Sequence, residues 1–309
     1  MHSSLLLPII TESHYTIDSN KILGKGNYGT VYAGNYNAKT IAIKRSREDS
    51  KSIKSLKEEI EMLKTLTYCI NENPDQHREG SKYLIQCYGY RLWTHSTQHI
   101  NQYDLLLEYA DQGTLTNWIE SGKFTWTSAY PLIKHMTIAL NMLHSMKIIH
   151  SDVKPDNVLV CTLDDGSLAA KLTDFGLAQI TQKDKSKMRH QGSPYYMAPE
   201  ILSKTHPSSE QGDIYALGMI TCVMENQAKP YTSYHFTKLD GLIQHVVVEK
   251  KRDVISKDAP KKIVCITNWC WQHSMFARPT ASQLSSELNT PIEEISPALS
   301  IHETYSPQQ

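Results

Sequence analysis

The order of hydrophobic and polar positions divides the chain into a strand-rich first third and a helical remainder. Up to about Tyr109, β-branched and aromatic residues gather in short runs that favour strands: KILGKGNYGTVYAGNY, TIAIKRS, YLIQCYGYRLW and QYDLLLEYA. One amphipathic helix interrupts them, since apolar residues recur at three- and four-residue spacings, namely Ile53, Leu56, Ile60, Leu63 and Leu66. The polar, aperiodic stretch 67–83 that follows predicts an extended surface loop.

The residues after Gly113 are typical of helices. PLIKHMTIALNMLHSM predicts a helix with Pro131 in its first turn, where the N–H that proline lacks is not needed. GDIYALGMITCVMEN is apolar on all sides and predicts a buried central helix. KKIVCITNWCW and TASQLSSELN predict further helices, and Thr280 is placed to cap the last one.

These patterns predict an α+β protein with a small β-rich lobe and a larger, mainly helical lobe. The small lobe spans 15–110 and the large lobe 111–289, with a short link near Ala110. Residues 1–14 form an N-terminal extension. Because periodicity is lost from Thr290 onward, residues 290–309 are expected to be a flexible C-terminal tail.

Composition excludes several classes of protein. The 32 basic residues balance the 32 acidic ones, which predicts neither a nucleic-acid partner nor a membrane surface. The six cysteines are scattered without a CxxC pair, so they are expected to be reduced, buried thiols of a cytoplasmic protein. The apolar run near the N-terminus is short and interrupted by Pro8, which predicts neither a signal peptide nor membrane insertion.

Three glycines suggest a phosphate-binding loop. Gly24, Gly26 and Gly29 lie in GKGNYGTV, and glycine lets backbone N–H groups approach a phosphate closely. A dinucleotide-binding loop would need a helix directly after the glycines and an acidic residue about twenty positions on. Here a strand follows and Lys44 stands at that distance, so a dinucleotide site is not predicted.

A lysine and a glutamate extend this phosphate hypothesis. Lys44 ends the apolar strand IAIK, and Glu59 lies on or near the apolar face of the following helix. Each residue by itself is typical of a solvated surface charge. Together with the glycine loop, however, a lysine held in place by a glutamate could reach phosphate oxygens.

At this point the chain resembles the eukaryotic protein kinase family. HSDVKPDN matches the catalytic-loop motif H-x-D-x-K-x-x-N, DFG follows at 174–176 and APE at 198–200. These motifs and the glycine loop stand in the family's order over roughly residues 15–289. The resemblance implies the bilobal protein-kinase fold and transfer of the γ-phosphoryl group of ATP, with Mg²⁺, to hydroxyl groups of protein substrates.

The resemblance also implies roles for particular side chains. Asp152 would accept the proton of the substrate hydroxyl, and Lys154 would steady the transferring phosphoryl group. Asn157 and Asp174 would hold magnesium, while Lys44 would contact the inner phosphates and pair with Glu59. Further family roles are a regulatory stack and two structural contacts. The stack comprises Leu63, Cys87, His150 and Phe175, and the contacts are those of Asp213 with the catalytic loop and of Glu200 with Arg278.

An adenine pocket follows from the same match. Val31, Ala42 and Leu159 would sandwich the base, and Leu107 would be the gatekeeper at the inner edge of the pocket. Backbone groups of Glu108 and Ala110 would make the hinge hydrogen bonds. For the apolar residues, a place in the core and a place in the pocket are compatible.

Substrate specificity and regulation follow from small departures in the motifs. Lys154 and Ser193 are typical of serine/threonine kinases, although NWCWQHSMFARPT resembles the tyrosine-kinase-like group and dual specificity stays open. Ser151 stands where most family members have an arginine that binds a phosphorylated activation loop. We therefore expect activity to depend less on activation-loop phosphorylation, although Thr181, Ser186 and Ser193 are candidate phosphosites.

Two alternatives compete with an active protein kinase. A pseudokinase scaffold would bind nucleotide or partner proteins without catalysis, but such proteins usually lack equivalents of Lys44, Asp152 or Asp174, all of which are present here. A small-molecule kinase is disfavoured by Lys154 and by the segment 192–200, which serve peptide binding in the family. The sequence predicts neither the physiological substrate nor the oligomeric state.

Overall fold

The computed structural model describes residues 7–26, 29–94, 101–181, 192–236 and 238–302. The candidate phosphosite Ser186 lies outside these ranges. Within them, the first lobe is built on five antiparallel strands in the order β1-β2-β3-β5-β4. The strands are β1 Tyr15–Lys25, β2 Gly29–Tyr36, β3 Lys39–Ser46, β4 Cys87–Thr94 and β5 Asn101–Glu108. Together with the helical second lobe, this sheet confirms the predicted bilobal α+β fold.

A long helix, α1 (Ser50–Glu72), packs against this sheet. It begins after Asp49, whose carboxylate accepts the backbone N–H of Ser52 at 2.8 Å and so satisfies one of the unpaired first-turn donors. Its buried face is the one that the apolar spacing predicts and includes Leu56, Ile60, Leu63 and Leu66. Glu59 is buried on the same side, which brings its carboxylate to the sheet.

The prediction of an extended loop over 67–83 is wrong. Helix α1 continues to Glu72, and a second helix, α2 (Pro74–Ser81), begins directly after Asn73. Proline at the first position of α2 starts the new helix without needing an N–H. The buried side of α2 consists of His77 and Gly80, which is too small and too polar to register as apolar periodicity.

The second lobe surrounds a buried helix, as predicted. Its helices are α3 Leu115–Glu120, α4 Trp126–Ser145, α5 Pro199–Leu202, α6 Glu210–Asn226, α7 Leu239–Ile243, α8 Lys261–Cys270, α9 Ala281–Leu288 and α10 Pro297–Ser300. A π-helical turn, 244–248, extends α7. Every residue of α6 from Gly212 to Glu225 is buried. The short strands of this lobe are β6 Ile148–Ile149, β7 Val158–Thr162, β8 Leu168–Leu172 and β9 Gln179–Ile180.

Two helix starts test the capping expectations. Thr280 caps α9 in a reciprocal capping box with Gln283, as predicted. The placement of Pro131 in a first turn is wrong, because α4 begins five residues earlier, at Trp126. There the side chains of Thr125 and Ser128 form another capping box, so a local hydrogen-bonding pair rather than the proline fixes the start.

The expectation of a flexible tail from Thr290 is wrong as far as His302. The ammonium group of Lys262, which is fully buried, donates to the carbonyl oxygens of Thr290 and Pro291 at 3.0 and 2.8 Å. Leu299 is also fully buried, and the ring of His302 stacks on Trp269. Contacts supplied by α8 therefore hold a segment that has no periodicity of its own.

The N-terminal segment is likewise docked. Leu7 and Ile10 are buried, and the Ile10 N–H donates to the Tyr90 carbonyl of β4 at 2.8 Å. The six cysteines form no disulfide, and Cys161, Cys222, Cys265 and Cys270 are buried as predicted, whereas Cys69 and Cys87 are only partly buried. Across the described ranges, the helices are too short or too polar to cross a lipid bilayer.

Candidate active site

The three predicted loop glycines fall into two groups. Among the described residues, a Cβ atom added to Gly24 would meet nothing within 4 Å, and at Gly26 the nearest atom would be 3.9 Å away. At Gly29, in contrast, a Cβ would lie 2.5 Å from the carbonyl oxygen of Arg45 on β3. Gly29 is therefore required by the close approach of two strands, whereas Gly24 and Gly26 border open space that a ligand could approach.

A partly buried ion-pair cluster joins three distant parts of the chain. The ammonium nitrogen of Lys44 lies 2.7 Å from the carboxylate of Glu59 and 3.1 Å from that of Asp174. Burial opposes the charge of Lys44, but the two carboxylates outweigh it and raise the pKa of the ammonium group. Burial also opposes ionisation of Asp174, yet Lys44 lowers the pKa of that carboxyl group. Lys44 is therefore held as a fixed cation.

The local backbone explains why Asp174 points into this cluster. Asp174 has a φ of 63°, in the left-handed region, and the next residues 175–177 form a 3₁₀ turn. Phe175 is 1% exposed, and its ring centre lies 5.2 Å from that of His150. The Phe175 anchor thus offsets the backbone cost of a conformation that aims the neighbouring carboxylate at Lys44.

The predicted catalytic loop forms a second cluster around Asp152. The Asp152 carboxylate accepts hydrogen bonds from Lys154 at 2.7 Å, from the Ser193 hydroxyl at 2.9 Å and from the Asn157 amide at 2.9 Å. The same Asn157 NH₂ group also donates to the backbone carbonyl of Asp152 at 2.8 Å. With its NH₂ committed in this way, Asn157 retains its amide oxygen as the atom able to bind a cation.

Backbone contacts tie the two clusters together. The N–H of Thr173, the residue before Asp174, donates to the carbonyl of Asn157 at 3.0 Å. The catalytic loop is also anchored by α6, since the Asp213 carboxylate of that helix accepts hydrogen bonds from the backbone N–H groups of His150 and Ser151, each at 2.9 Å. Lys44, Asp174, Asn157 and Asp152 are therefore connected through a continuous set of short contacts.

A bidentate ion pair stabilises the helical lobe near this loop. Both guanidinium NH groups of Arg278 lie 2.7 Å from carboxylate oxygens of Glu200. The Arg278 side chain has no exposed surface, and it donates further to the Gln211 carbonyl. A buried arginine is tolerated only with such complete pairing, so this contact is structural, as expected from the sequence.

The predicted adenine-pocket residues lie around the junction of the lobes. Ala42 and Leu107 are directly opposite each other on β3 and β5, and Leu159 bridges to Thr114 just after the link. Val31 and Leu159 are partly buried in the main apolar core. In the link, the Glu108 N–H donates to the Gln86 carbonyl at 2.9 Å, and the Ala110 carbonyl accepts from Gly113 at 3.2 Å.

Two contacts at the site were missed by sequence reasoning. Lys171 of β8 donates to both carboxylate oxygens of Glu108, at 2.6 and 2.7 Å. The amide of Gln179 on β9 donates to the Ser151 hydroxyl at 3.2 Å. The sequence could have predicted an ion-pair partner for Lys171, because a cation in the apolar strand LAAKL needs a partner just as Lys44 does. No sequence pattern predicts the contact of Gln179.

The donor set fits magnesium better than a structural transition metal. Among the described residues, no group of three or more histidine, cysteine, aspartate or glutamate side chains could hold a metal ion. Asp174 and Asn157 offer instead a carboxylate and an amide oxygen, and the Asp174 side chain is 44% exposed. Magnesium is typically bound by a few such hard oxygen ligands together with substrate phosphates.

Comparison with known proteins supports this picture. Residues 17–288 match the family model described as the protein kinase domain. Dual specificity protein kinase shkD of Dictyostelium discoideum is 26% identical over 275 residues, and probable serine/threonine-protein kinase pats1 of the same organism is 25% identical over 323. Mitogen-activated protein kinase kinase kinase 3 of Arabidopsis thaliana is 28% identical over 284 residues.

The matched regions cover most of this chain but less than half of each relative. They cover 88%, 99% and 87% of this chain but 34%, 10% and 41% of the three relatives, respectively. The chain thus corresponds to one domain's length within longer relatives. Since the kinase model covers residues 17–288, nearly the whole chain, the chain belongs to the protein kinase domain family.

Proposed function

We propose that this chain is an ATP-dependent protein kinase that phosphorylates serine and threonine hydroxyls of protein substrates. The observation that carries the proposal is the connected set of Lys44, Asp174, Asn157 and Asp152, which combines one fixed cation, two carboxylates and an amide. A phosphoryl-transfer site needs such charges positioned in advance, because the transition state spreads negative charge over the phosphoryl oxygens.

Each side chain has a proposed task. Lys44, paired with Glu59, contacts the inner phosphates of ATP, and Lys154 steadies the group in transfer. Asp152 orients the acceptor hydroxyl and accepts its proton. Asp174 and the Asn157 amide oxygen hold magnesium, which neutralises charge on the phosphate oxygens when it is bound.

The nucleotide is proposed to lie between the lobes. Gly24 and Gly26 cover the phosphates, and Gly29 keeps β2 and β3 close. The adenine ring lies between Val31, Ala42 and Leu159, with Leu107 at its inner edge and backbone groups of Glu108 and Ala110 as hydrogen-bonding partners. We retain 15–110 and 111–289 as the two lobes, with 7–14 and 290–302 docked on them.

Serine/threonine specificity is supported by the contacts of Lys154. Its ammonium nitrogen bridges the Asp152 carboxylate and the Ser193 hydroxyl, at 2.7 and 2.8 Å. These contacts place a cation and a small hydroxyl residue beside the proposed base. Dual specificity is the second candidate, because the relative shkD is named a dual-specificity kinase.

The experiment that tests catalysis compares matched variants. Purified full chain is incubated with magnesium, labelled ATP and a mixed serine, threonine and tyrosine peptide library. Asp152→Asn should lower incorporation by about 10²–10⁴-fold, as loss of a general base does, and Lys44→Met should lower it strongly. Asp164→Asn removes an exposed charge from the β7–β8 turn and should leave the rate unchanged.

Equal incorporation by the wild type, Asp152→Asn and Lys44→Met would contradict catalysis by this chain. Incorporation absent from all proteins, with nucleotide still bound, would favour the pseudokinase alternative. Phosphoamino-acid analysis of the product then separates serine/threonine from dual specificity, since only the latter yields phosphotyrosine.

We also propose that activity needs little activation-loop phosphorylation. Ser151, which replaces the arginine of most family members, accepts a hydrogen bond from Gln179 of β9, and β9 pairs with β6. The Thr181 N–H continues this pairing by donating to the Lys147 carbonyl at 2.9 Å. These neutral contacts hold the start of the activation segment without an arginine–phosphate pair.

Phosphatase treatment tests this regulatory proposal. Phosphatase-treated enzyme should retain most of its initial rate, measured before autophosphorylation can proceed. Ser151→Ala in the treated enzyme should lower the rate several-fold, because the hydrogen bond from the Gln179 amide to the Ser151 hydroxyl is lost. A treated wild type that is nearly inactive and recovers on autophosphorylation would contradict the proposal.

A cytoplasmic location is proposed on chemical grounds. The absence of disulfides among the six cysteines fits a reducing compartment. The formal net charge of zero fits a protein without a strongly charged partner. Cell fractionation with a tagged chain would test the location. Protein substrates, rather than nucleic acid, are the proposed partners.

A further inference from the structure

The turn between β1 and β2 is held by an arginine that lies outside it. The Gly26 N–H donates to the Gly29 carbonyl at 3.0 Å, across the turn itself. The Gly26 carbonyl accepts a hydrogen bond from the Arg47 guanidinium group at 2.7 Å. Both backbone polar groups of Gly26 are therefore occupied, one within the turn and one by a side chain that follows β3.

The register of β2 and β3 brings Arg47 to this turn. Gly29 lies opposite Ser46 at the end of the strand pairing, and Arg47 is the next residue along the chain. The pairing is close because Gly29 has no side chain, since an added Cβ would lie 2.5 Å from the Arg45 carbonyl oxygen. Arg47 therefore stands one position beyond the last strand pair, level with the turn.

The contact with Gly26 accounts for the polar interactions of Arg47. Its side chain is exposed, and no carboxylate of the described ranges forms an ion pair with it. A hydrogen bond from a cationic donor to a carbonyl is stronger than one between neutral groups. Because Arg47 lies at the surface, replacing it leaves no cavity in the core, and the consequences should be confined to the turn.

We propose that Arg47 is a positioning residue for the nucleotide and acts through the carbonyl of Gly26. The inference rests on the proposed kinase function, in which Gly24 and Gly26 cover the phosphates of ATP. A turn that is already fixed loses less conformational entropy when a ligand binds. Arg47 therefore strengthens nucleotide binding without contacting the reacting atoms, and the chemical step depends on it less.

Nucleotide binding and peptide phosphorylation by the full chain test this role. Calorimetry with magnesium and a non-hydrolysable ATP analogue gives the Kd, and steady-state kinetics give kcat and the KM for ATP. Arg47→Met removes the donor and should raise Kd and KM about three- to tenfold, as expected for one hydrogen bond, with kcat changed less than about twofold. Arg47→Lys retains a cationic donor and should restore most of the affinity.

Lys57→Met is the matched control, because it removes one positive charge from an exposed position on α1. It should leave Kd, KM and kcat unchanged. A general attraction between the Arg47 charge and the triphosphate would weaken as salt screens it, so binding is measured at about 0.05 M and about 0.5 M potassium chloride. The ratio of Kd between Arg47→Met and the wild type should persist at the higher concentration.

Amide hydrogen exchange supplies a measurement that does not depend on catalysis. Without nucleotide, the Gly26 amide should exchange faster in Arg47→Met than in the wild type, because the turn opens more often. Unchanged exchange, unchanged affinity, or an affinity loss that disappears at high salt would each overturn the role of Arg47 while leaving kinase activity intact. A wild type that phosphorylates peptides no faster than Asp152→Asn would instead overturn the proposed function.

Discussion

Several charged residues of this chain are largely shielded from water, and three of them are explained by their partners. Lys44 is held by two carboxylates, Arg278 by Glu200, and Lys262 by carbonyl groups of the C-terminal segment. Glu225 differs from these three. One of its carboxylate oxygens accepts a hydrogen bond from Thr267 at 2.9 Å, while the other has no hydrogen-bonding partner among the residues that the structure describes. Burial raises the pKa of Glu225 to about 8.

The raised pKa of Glu225 predicts a pH-dependent stability. In the unfolded chain this carboxyl group titrates near its ordinary pKa of about 4.3, so folding takes up a proton between that pH and about 8. The contribution of Glu225 to the free energy of unfolding should therefore fall as pH rises through this window. Glu225→Gln removes the titration, and relative to the wild type it should gain on the order of 3 kcal/mol between pH 5 and pH 8.

Denaturant unfolding of both proteins at several pH values measures this difference. Because all other titrating groups are common to the two proteins, their contributions cancel in the comparison. Parallel pH profiles for the wild type and Glu225→Gln would contradict a raised Glu225 pKa. A fall in wild-type stability that is absent from the variant is the expected result.

At the residue scale, the sequence motifs predicted which residues belong to the candidate site better than they predicted the contacts of those residues. The resemblance to the kinase motifs named Asp152, Lys154, Asn157 and Asp174, and the structure brings these four residues into one connected set. Gly29, predicted as part of a phosphate-binding loop, also meets a steric requirement, because an added Cβ would lie 2.5 Å from the Arg45 carbonyl oxygen of β3. The register between β2 and β3 decides that contact, and no local pattern encodes it.

At the scale of helices and strands, capping side chains close in sequence determine where most of the helices begin. Asp49, Thr125 and Thr280 each cap a helix through their own side chains, which a short window of sequence can show. Helices α2, α5, α7 and α8 begin without a capping hydrogen bond from a side chain. The buried side of α2 faces α4 through Gly80, where the missing side chain allows the two helices to approach closely.

Gly80→Ala tests this packing. An added Cβ would lie 2.5 Å from the Cβ atom of Met142, which belongs to a rigid part of that side chain. Overpacking costs about 1–3 kcal/mol, whereas alanine gains at most about 1 kcal/mol over glycine in a helix. We therefore expect the free energy of unfolding to fall by about 1–2 kcal/mol.

Gln76→Ala provides the matched control, because Gln76 lies on the exposed side of the same helix. It should change the free energy of unfolding by less than about 0.5 kcal/mol. Chemical denaturation measures both variants. Equal stability of Gly80→Ala and the wild type would show that α2 can move away from α4 without cost.

At the scale of the whole molecule, the ion pair between Glu108 and Lys171 joins the two lobes. Glu108 ends β5 of the sheet, and Lys171 belongs to β8 of the helical lobe. The Glu108 carboxylate also accepts the Gln86 N–H at 3.2 Å, so one side chain braces three segments around the link. Both side chains are largely shielded from water, at 22% and 14% exposure, which makes the contact stronger than a surface pair.

Loss of the ion pair between Glu108 and Lys171 should weaken nucleotide binding more than it slows the chemical step. Lys171→Met and Glu108→Gln should each raise the KM for ATP by about three- to tenfold, with a smaller change in kcat, because the link no longer holds the proposed adenine pocket in one shape. The double variant should lose less than the sum of the two, with a coupling energy of about 1–2 kcal/mol.

The pair of Glu79 on α2 and Lys82, the residue directly after α2, is the control, since both side chains are mostly exposed. Its coupling energy should stay below about 0.5 kcal/mol. Steady-state kinetics over a range of ATP concentrations supplies all of these values. Strict additivity of Lys171→Met and Glu108→Gln would argue against the brace.

The sequence by itself determined the two-lobe order and the buried central helix α6, and the resemblance of its motifs to the protein kinase family supplied the candidate site residues. It could do so because apolar periodicity and motif spacing are local properties of the chain. Tertiary structure determined that 67–83 is largely helical and that 290–302 packs on the helical lobe. It also determined the pairing of Lys171 with Glu108 and the contact of Ser151 with Gln179. Each of these depends on a partner distant in sequence, whose free-energy contribution appears only when folding brings the two surfaces together.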